Sequence, residues 1–98
     1  MPVDRENIII EHNEAAERFE AKLDDQLAVA EYQRRGETLF FTHTEVPNRF
    51  RGQGIADKLA QHALDYASTH HLTVVPLCSF MATYIRRHPE YQTLVHTS

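Results

Sequence analysis

The segment Arg49-Phe50-Arg51-Gly52-Gln53-Gly54-Ile55-Ala56 constrains the fold of this chain more than any other, because it joins a strand-like run over 38–46 to a helical pattern that begins near Gly54. The first turn of a helix leaves backbone N–H groups unpaired and carries the positive end of the macrodipole. Two glycines ahead of that turn let an anion reach the backbone with no Cβ in the way, and Arg49 and Arg51 stand beside it to supply charge. The pattern predicts a phosphate cradle, with a glycine-softened strand-to-helix turn as the plain alternative.

Other glycine-rich motifs fit less well. A P-loop requires a Lys-Ser or Lys-Thr pair after the second glycine, and none follows here. A dinucleotide fingerprint requires a third glycine where Asp57 stands and an acidic residue at the end of the next strand, which instead runs into Leu77-Cys78. What remains is Arg-x-x-Gly-x-Gly between a strand and a helix.

With 98 residues, the chain buries little more than ~60% of its unfolded surface, enough for one modest core and one domain over 1–98. The net charge is -4 and the pI is near 5.9, with no block of like charge. No electrostatic footprint for nucleic acid or an anionic membrane is present, so neither is an expected partner. The N-terminal Met1-Pro2-Val3-Asp4-Arg5-Glu6 lacks a hydrophobic signal segment, and the apolar runs fall far short of the roughly 20 residues of a membrane helix. These features read as cytoplasmic. A single cysteine, Cys78, excludes an internal disulfide.

Periodicity orders the elements. A β-branched run at Ile8, Ile9 and Ile10 continues to His12 and is broken by Asn13-Glu14-Ala15-Ala16. Phe19, Ala21 and Leu23 then alternate with polar neighbours, the mark of a half-buried strand. Asp24-Asp25-Gln26 turns the chain into 27–33, and Arg35-Gly36-Glu37 turns it into 38–46, giving an antiparallel meander. Over 54–70 the period becomes helical, with Ile55, Ala56, Leu59, Ala60, Ala63, Leu64 and Ala67 on one stripe. A short strand over 72–75 is stopped by Pro76, Ser79 is placed to cap a second helix, and Pro89 ends that helix at or before His88. Strand, helix and strand over 38–77 predict a right-handed parallel crossover, which brings the glycine loop, residues 43–46 and Cys78 to one edge of the sheet.

In this order, His43-Thr44-Glu45-Val46-Pro47, Arg51-Gly52-Gln53-Gly54-Ile55-Ala56, Pro76-Leu77-Cys78 and His88-Pro89-Glu90-Tyr91 resemble the GCN5-related N-acetyltransferase superfamily, and most nearly its small YjdJ-type group. The resemblance covers roughly half the chain. It implies a compact GNAT-like α/β (α+β) fold, an antiparallel meander continuing into a parallel β-α-β pair with two main helices. It also implies acetyl-CoA as cofactor, with cofactor-binding positions at Glu45, Val46, Arg49, Arg51, Gly52, Gln53, Gly54, Ile55 and Ala56. The implied reaction moves the acetyl group to a small-molecule or protein amine; the alternative is a non-catalytic CoA-binding or protein-interaction module. Wider relatives carry helices between the first two strands that help build the acceptor site, and here only residues 13–17 separate those strands. The acceptor pocket is therefore either open or completed by a protein partner.

Acyl transfer needs an N–H donor on the developing oxyanion, a base for the nucleophile and an acid for the leaving thiolate. Backbone amides around Glu45 and Val46 suit the first role. Cys78, at a predicted helix N-terminus that favours its thiolate, is a candidate nucleophile forming an acetyl-cysteine, with His43 as its base. Against this stand a Cys78 that merely packs and a His43 that is structural. Tyr84 resembles the acid of many GNAT enzymes, although a tyrosine on an apolar stripe more commonly packs. Seven histidines include no His-x3-His pair, and the one cysteine has no partner, so no metal site is expected.

Overall fold

The computed structural model describes residues 8–95. Its strands are β1 (Ile10–Asn13), β2 (Arg18–Leu23), β3 (Gln26–Arg35), β4 (Thr38–Glu45) and β5 (Thr73–Pro76), and its helices are α1 (Ile55–Thr69) and α2 (Ser79–Arg87). Short 3₁₀ segments occupy Asn48–Phe50 and Pro89–Leu94. The five strands form one sheet in chain order, antiparallel from β1 to β4 and parallel between β4 and β5. This is the expected meander running into a parallel pair around a crossover helix.

Turn chemistry sets the hairpins. Asp24 (φ 56°) and Gly36 (φ 62°) adopt the left-handed backbone that tight two-residue connections demand. Between β1 and β2, Ala16 N–H donates to the Asn13 side chain at 3.1 Å, and Glu17 takes φ 54°. Alternation then buries one face: Phe19, Ala21 and Leu23 of β2, Ala28, Ala30 and Tyr32 of β3, and Leu39 and Phe41 of β4. The α1 stripe of Ile55, Leu59, Ala60, Ala63, Leu64 and Ala67 joins the same core, its alanines allowing close approach to the sheet, and α2 adds Met81, Tyr84 and Ile85.

Several boundaries differ from expectation. β1 begins at Ile10 rather than Ile8, since Ile8 is buried in the core without joining the ladder. β3 extends to Arg35, pairing with Thr38 directly across the turn. Pro76 ends β5 from within, paired with Phe41, a terminal position where its missing N–H interrupts no later ladder bond. The residue capping α2 is Cys78 rather than Ser79, and it makes no side-chain cap. Its N–H is held by the Phe41 carbonyl at 3.0 Å, fixing it in extended backbone (φ -81°, ψ 132°) one residue before the helix starts. After α2, Tyr91 O–H donates to Asp65 at 2.7 Å and Val95 bridges Val74 in parallel, so the tail covers the free edge of β5.

Candidate functional site

The site is built where β4 and β5 stop pairing. Their ladder ends at Phe41 and Pro76, and the Phe41 carbonyl accepts from both Leu77 N–H and Cys78 N–H at 3.0 Å. β4 continues to Glu45 while the other segment turns into α2. A cleft of about 650 Å³ lies here, lined by residues 43–46, by the glycine loop and the first turn of α1, and by Phe80.

A bulge in β4 decides which side chains face inward. Tyr32 pairs with Phe41 and Glu31 with His43, so Thr42 is the extra residue. Opposed residues on adjacent strands share a face. Thr44, opposite buried Ala30, therefore turns toward the core side, while His43 and Glu45 turn to the other face with Glu31 and Val29. There His43 Nε2 lies 3.7 Å from Glu45 Oε1, with both side chains more than half exposed. Cys78 is half-buried, and its Sγ–H donates to Thr44 Oγ1 at 3.6 Å. The structure thus places Thr44, and not His43, against the thiol.

The cradle has the backbone that its glycines predict. Gly52 and Gly54 both sit at φ 80°, and Gly54 is the cap of α1. Lys58 N–H bonds back to the Gly54 carbonyl at 3.1 Å as the first helical bond, so the amides of residues 55–57 point out of the helix end. A Cβ built on Gly52 would meet no atom within 4 Å, which leaves open space beside the backbone for an anion. Among the arginines, Arg51 lines the cleft and its Nε donates to the Val46 carbonyl at 3.1 Å. Arg49 turns instead to the β2–β3 hairpin, 3.3 Å from Asp24 and 3.6 Å from Asp25, with its guanidinium over the Phe50 ring. Its charge is spent on the hairpin.

Residues 18–94 match the domain family described as GCN5-related N-acetyl-transferase. The chain belongs to that family. It is 34% identical over 91 residues to protein NATD1 of Xenopus tropicalis, covering 90% of this chain and 84% of that protein. Human NATD1 is 33% identical over 90 residues, with 89% and 80% covered. In structure the chain is similar to a GCN5-like protein of Staphylococcus aureus determined in solution by NMR, with a TM-score of 0.73 at 24% identity over 94% of this chain and 91% of that one. The meander, crossover and splayed β4–β5 end are the GNAT fold.

Tyr84, the family's usual acid by resemblance, is buried and stacked on His88 at 3.9 Å between ring centroids. Desolvation, then the nearby Asp57, Asp65 and Glu90 carboxylates, push its hydroxyl pKa upward. It lines a second cavity of about 400 Å³ between α1 and α2, beside Lys58, Gln61 and Tyr91. That placement matches the packing role expected for a tyrosine on an apolar stripe. Thr44 and Phe80 are site residues that sequence reasoning passed over. Thr44 stood within the His43-to-Pro47 motif, and Phe80 is one of several apolar residues along α2. Among the described residues, no group of three or more His, Cys, Asp or Glu is arranged to hold a metal ion, and no helix is long and apolar enough to cross a membrane.

Proposed function

We propose that this chain, acting as one domain over 1–98 in the cytoplasm, binds acetyl-CoA in the cleft and transfers the acetyl group to a small-molecule or protein amine. The observation that carries the reading is the meeting of two features in one cavity: the outward amides and open backbone of 52–57, and the end of β4 at 44–46, whose edge β5 leaves unpaired. The residues fit the group. Backbone amides over Gly52, Gln53, Gly54, Ile55 and Ala56, with the Arg51 guanidinium, suit a pyrophosphate. Backbone groups of Glu45 and Val46 suit the pantetheine chain and the thioester carbonyl. Bound acetyl-CoA supplies an activated acetyl group.

The acceptor approaches from the other face of the sheet, where β1 and β2 are joined by a tight turn and His43 and Glu45 stand exposed. His43, with Glu45 beside it, takes the proton that the attacking amine loses. An acetyl-Cys78 route keeps one support, the position of Cys78 at the start of α2, but the thiol's hydrogen-bond partner is Thr44 rather than a base. Direct attack of the amine on the thioester is the route we favour. A CoA-binding module without turnover is the second reading, favoured by the same short turn that leaves the acceptor side open.

Backbone amide shifts during titration with CoA and with acetyl-CoA test the site. The largest changes are expected at residues 44–46 and 52–57, with similar affinity for the two ligands. Shifts confined to other surfaces, or none, would remove the reading.

A further inference from the structure

Collapse of the acyl-transfer adduct leaves a thiolate, and the account above gives that thiolate no proton. The best-placed donor is a pair of side chains rather than one. Thr44 lines the cleft, turned to its inner side by the bulge, and its Oγ1 accepts a hydrogen bond from Cys78 Sγ–H at 3.6 Å. A hydroxyl that accepts one hydrogen bond keeps its own proton to donate elsewhere. Cys78 sits behind it, half-buried at the cap of α2.

We infer that Thr44 and Cys78 form a proton relay that neutralises the leaving CoA thiolate during acetyl transfer. The inference rests on the reading of the cleft as an acetyl-CoA site. As the C–S bond breaks, its electron pair goes to the CoA sulfur. That sulfur takes the proton of Thr44 Oγ1, and Oγ1 takes the proton of Cys78 Sγ. Thr44 ends as it began, and Cys78 is left as a thiolate. The proton that the attacking amine gives up to His43 passes to solvent, and Cys78 regains one from solvent. The sum is amine plus thioester giving amide plus thiol, with no redox partner.

Energetics favour this pair over a hydroxyl acid. Transfer between two thiols exchanges like for like, whereas an ordinary tyrosine stands near ~10 and is the weaker acid. Tyr84 is burdened further by burial and three nearby carboxylates. Its stacking on His88 and Tyr91 also ties it to the second cavity.

The test compares Thr44→Val, Thr44→Ser, Cys78→Ser and the Thr44→Val/Cys78→Ser double variant, using amine-dependent CoA release from acetyl-CoA alongside calorimetry with CoA. Thr44→Val and Cys78→Ser should each lower kcat by ~100-fold or more, the scale of general-acid catalysis, with CoA affinity unchanged. Thr44→Ser should recover most of the rate. Cys78→Ser keeps a hydrogen bond to Thr44 but not an acid of suitable strength, so packing alone predicts no such loss. The double variant should be no slower than either single, because the two act as one unit. A wild-type rate in Thr44→Val or Cys78→Ser overturns the relay. So does acetyl-Cys78 accumulating in the native protein without acceptor, which would make the thiol a nucleophile. Absence of CoA binding by the native protein would instead bring down the cleft reading, and the relay with it.

Discussion

Gly52 offers the cleanest perturbation of the cradle, since a side chain there enters open space and its cost is confined to the backbone. The residue stands at φ 80°, where an L-residue loses about 1–2 kcal/mol, and Asn and Asp lose least. Gly52→Asn and Gly52→Asp have the same shape and the same backbone demand, so both should fold with melting temperatures lowered by roughly 4–8 °C per kcal/mol. They differ by one negative charge beside the proposed pyrophosphate. Two unit charges 4 Å apart repel by about 1 kcal/mol in water and about 4 kcal/mol at an effective dielectric of 20, and the open cleft falls between these limits. Gly52→Asp should therefore bind CoA roughly 5-fold to several-hundred-fold more weakly than Gly52→Asn. Calorimetry on both variants, with added salt as a control that narrows the gap, measures this difference directly. Equal affinities in two folded variants would show that no phosphate sits beside residue 52.

Arg51→Ala should weaken CoA by about 1–3 kcal/mol, while Arg49→Ala should leave affinity nearly unchanged and loosen the 24–25 hairpin turn instead, as parallel titrations would show. His12 is stacked on Phe19 and bonded to Tyr32 O–H at 2.5 Å, with Tyr66 of α1, His70 just after that helix and Glu14 around it; burial holds its pKa below the ordinary 6.5 despite Glu14. The folded state thus prefers the neutral ring. Urea stability should be constant above about pH 6.5 and fall as pH drops from there through the lower folded pKa, and His12→Phe should flatten that acid limb. Leu59→Ala, at a fully buried position of α1, should cost about 2–5 kcal/mol by denaturant titration. Tyr91→Phe, which frees Asp65, should cost about 0.5–1.5 kcal/mol.

The alternation at Phe19, Ala21 and Leu23 and the 3.6 period from Ile55 to Ala67 made the meander and crossover helix legible, because each pattern satisfies only one period. The left-handed turn into α1 was legible for a related reason: two glycines just before a helix suit a positive φ, which both Gly52 and Gly54 adopt. What eluded the sequence lies at β4. Whether His43 or Thr44 faces inward depends on the bulge at Thr42, and a bulge is set by register against β3 rather than by local composition. The same limit hid the destination of Arg49, since a long side chain chooses among carboxylates that only the fold brings near. Ser79 looked like a cap on composition, but the β5 ladder end had already fixed Cys78 in that place. The Val95 bridge to Val74 was equally unreadable, because a single residue pair has no period.

The central claim is acetyl transfer from CoA at this cleft, and one assay tests it most directly. Acetyl-CoA is incubated with the native protein and a panel of small amines and lysine peptides, and both free CoA thiol and acetylated amine are quantified by mass spectrometry. The account predicts at least one amine that releases CoA and gains acetyl in equal amounts, with Gly52→Asp strongly reduced in both. CoA that binds tightly while every amine stays unmodified would contradict it and leave a binding module in place of an enzyme.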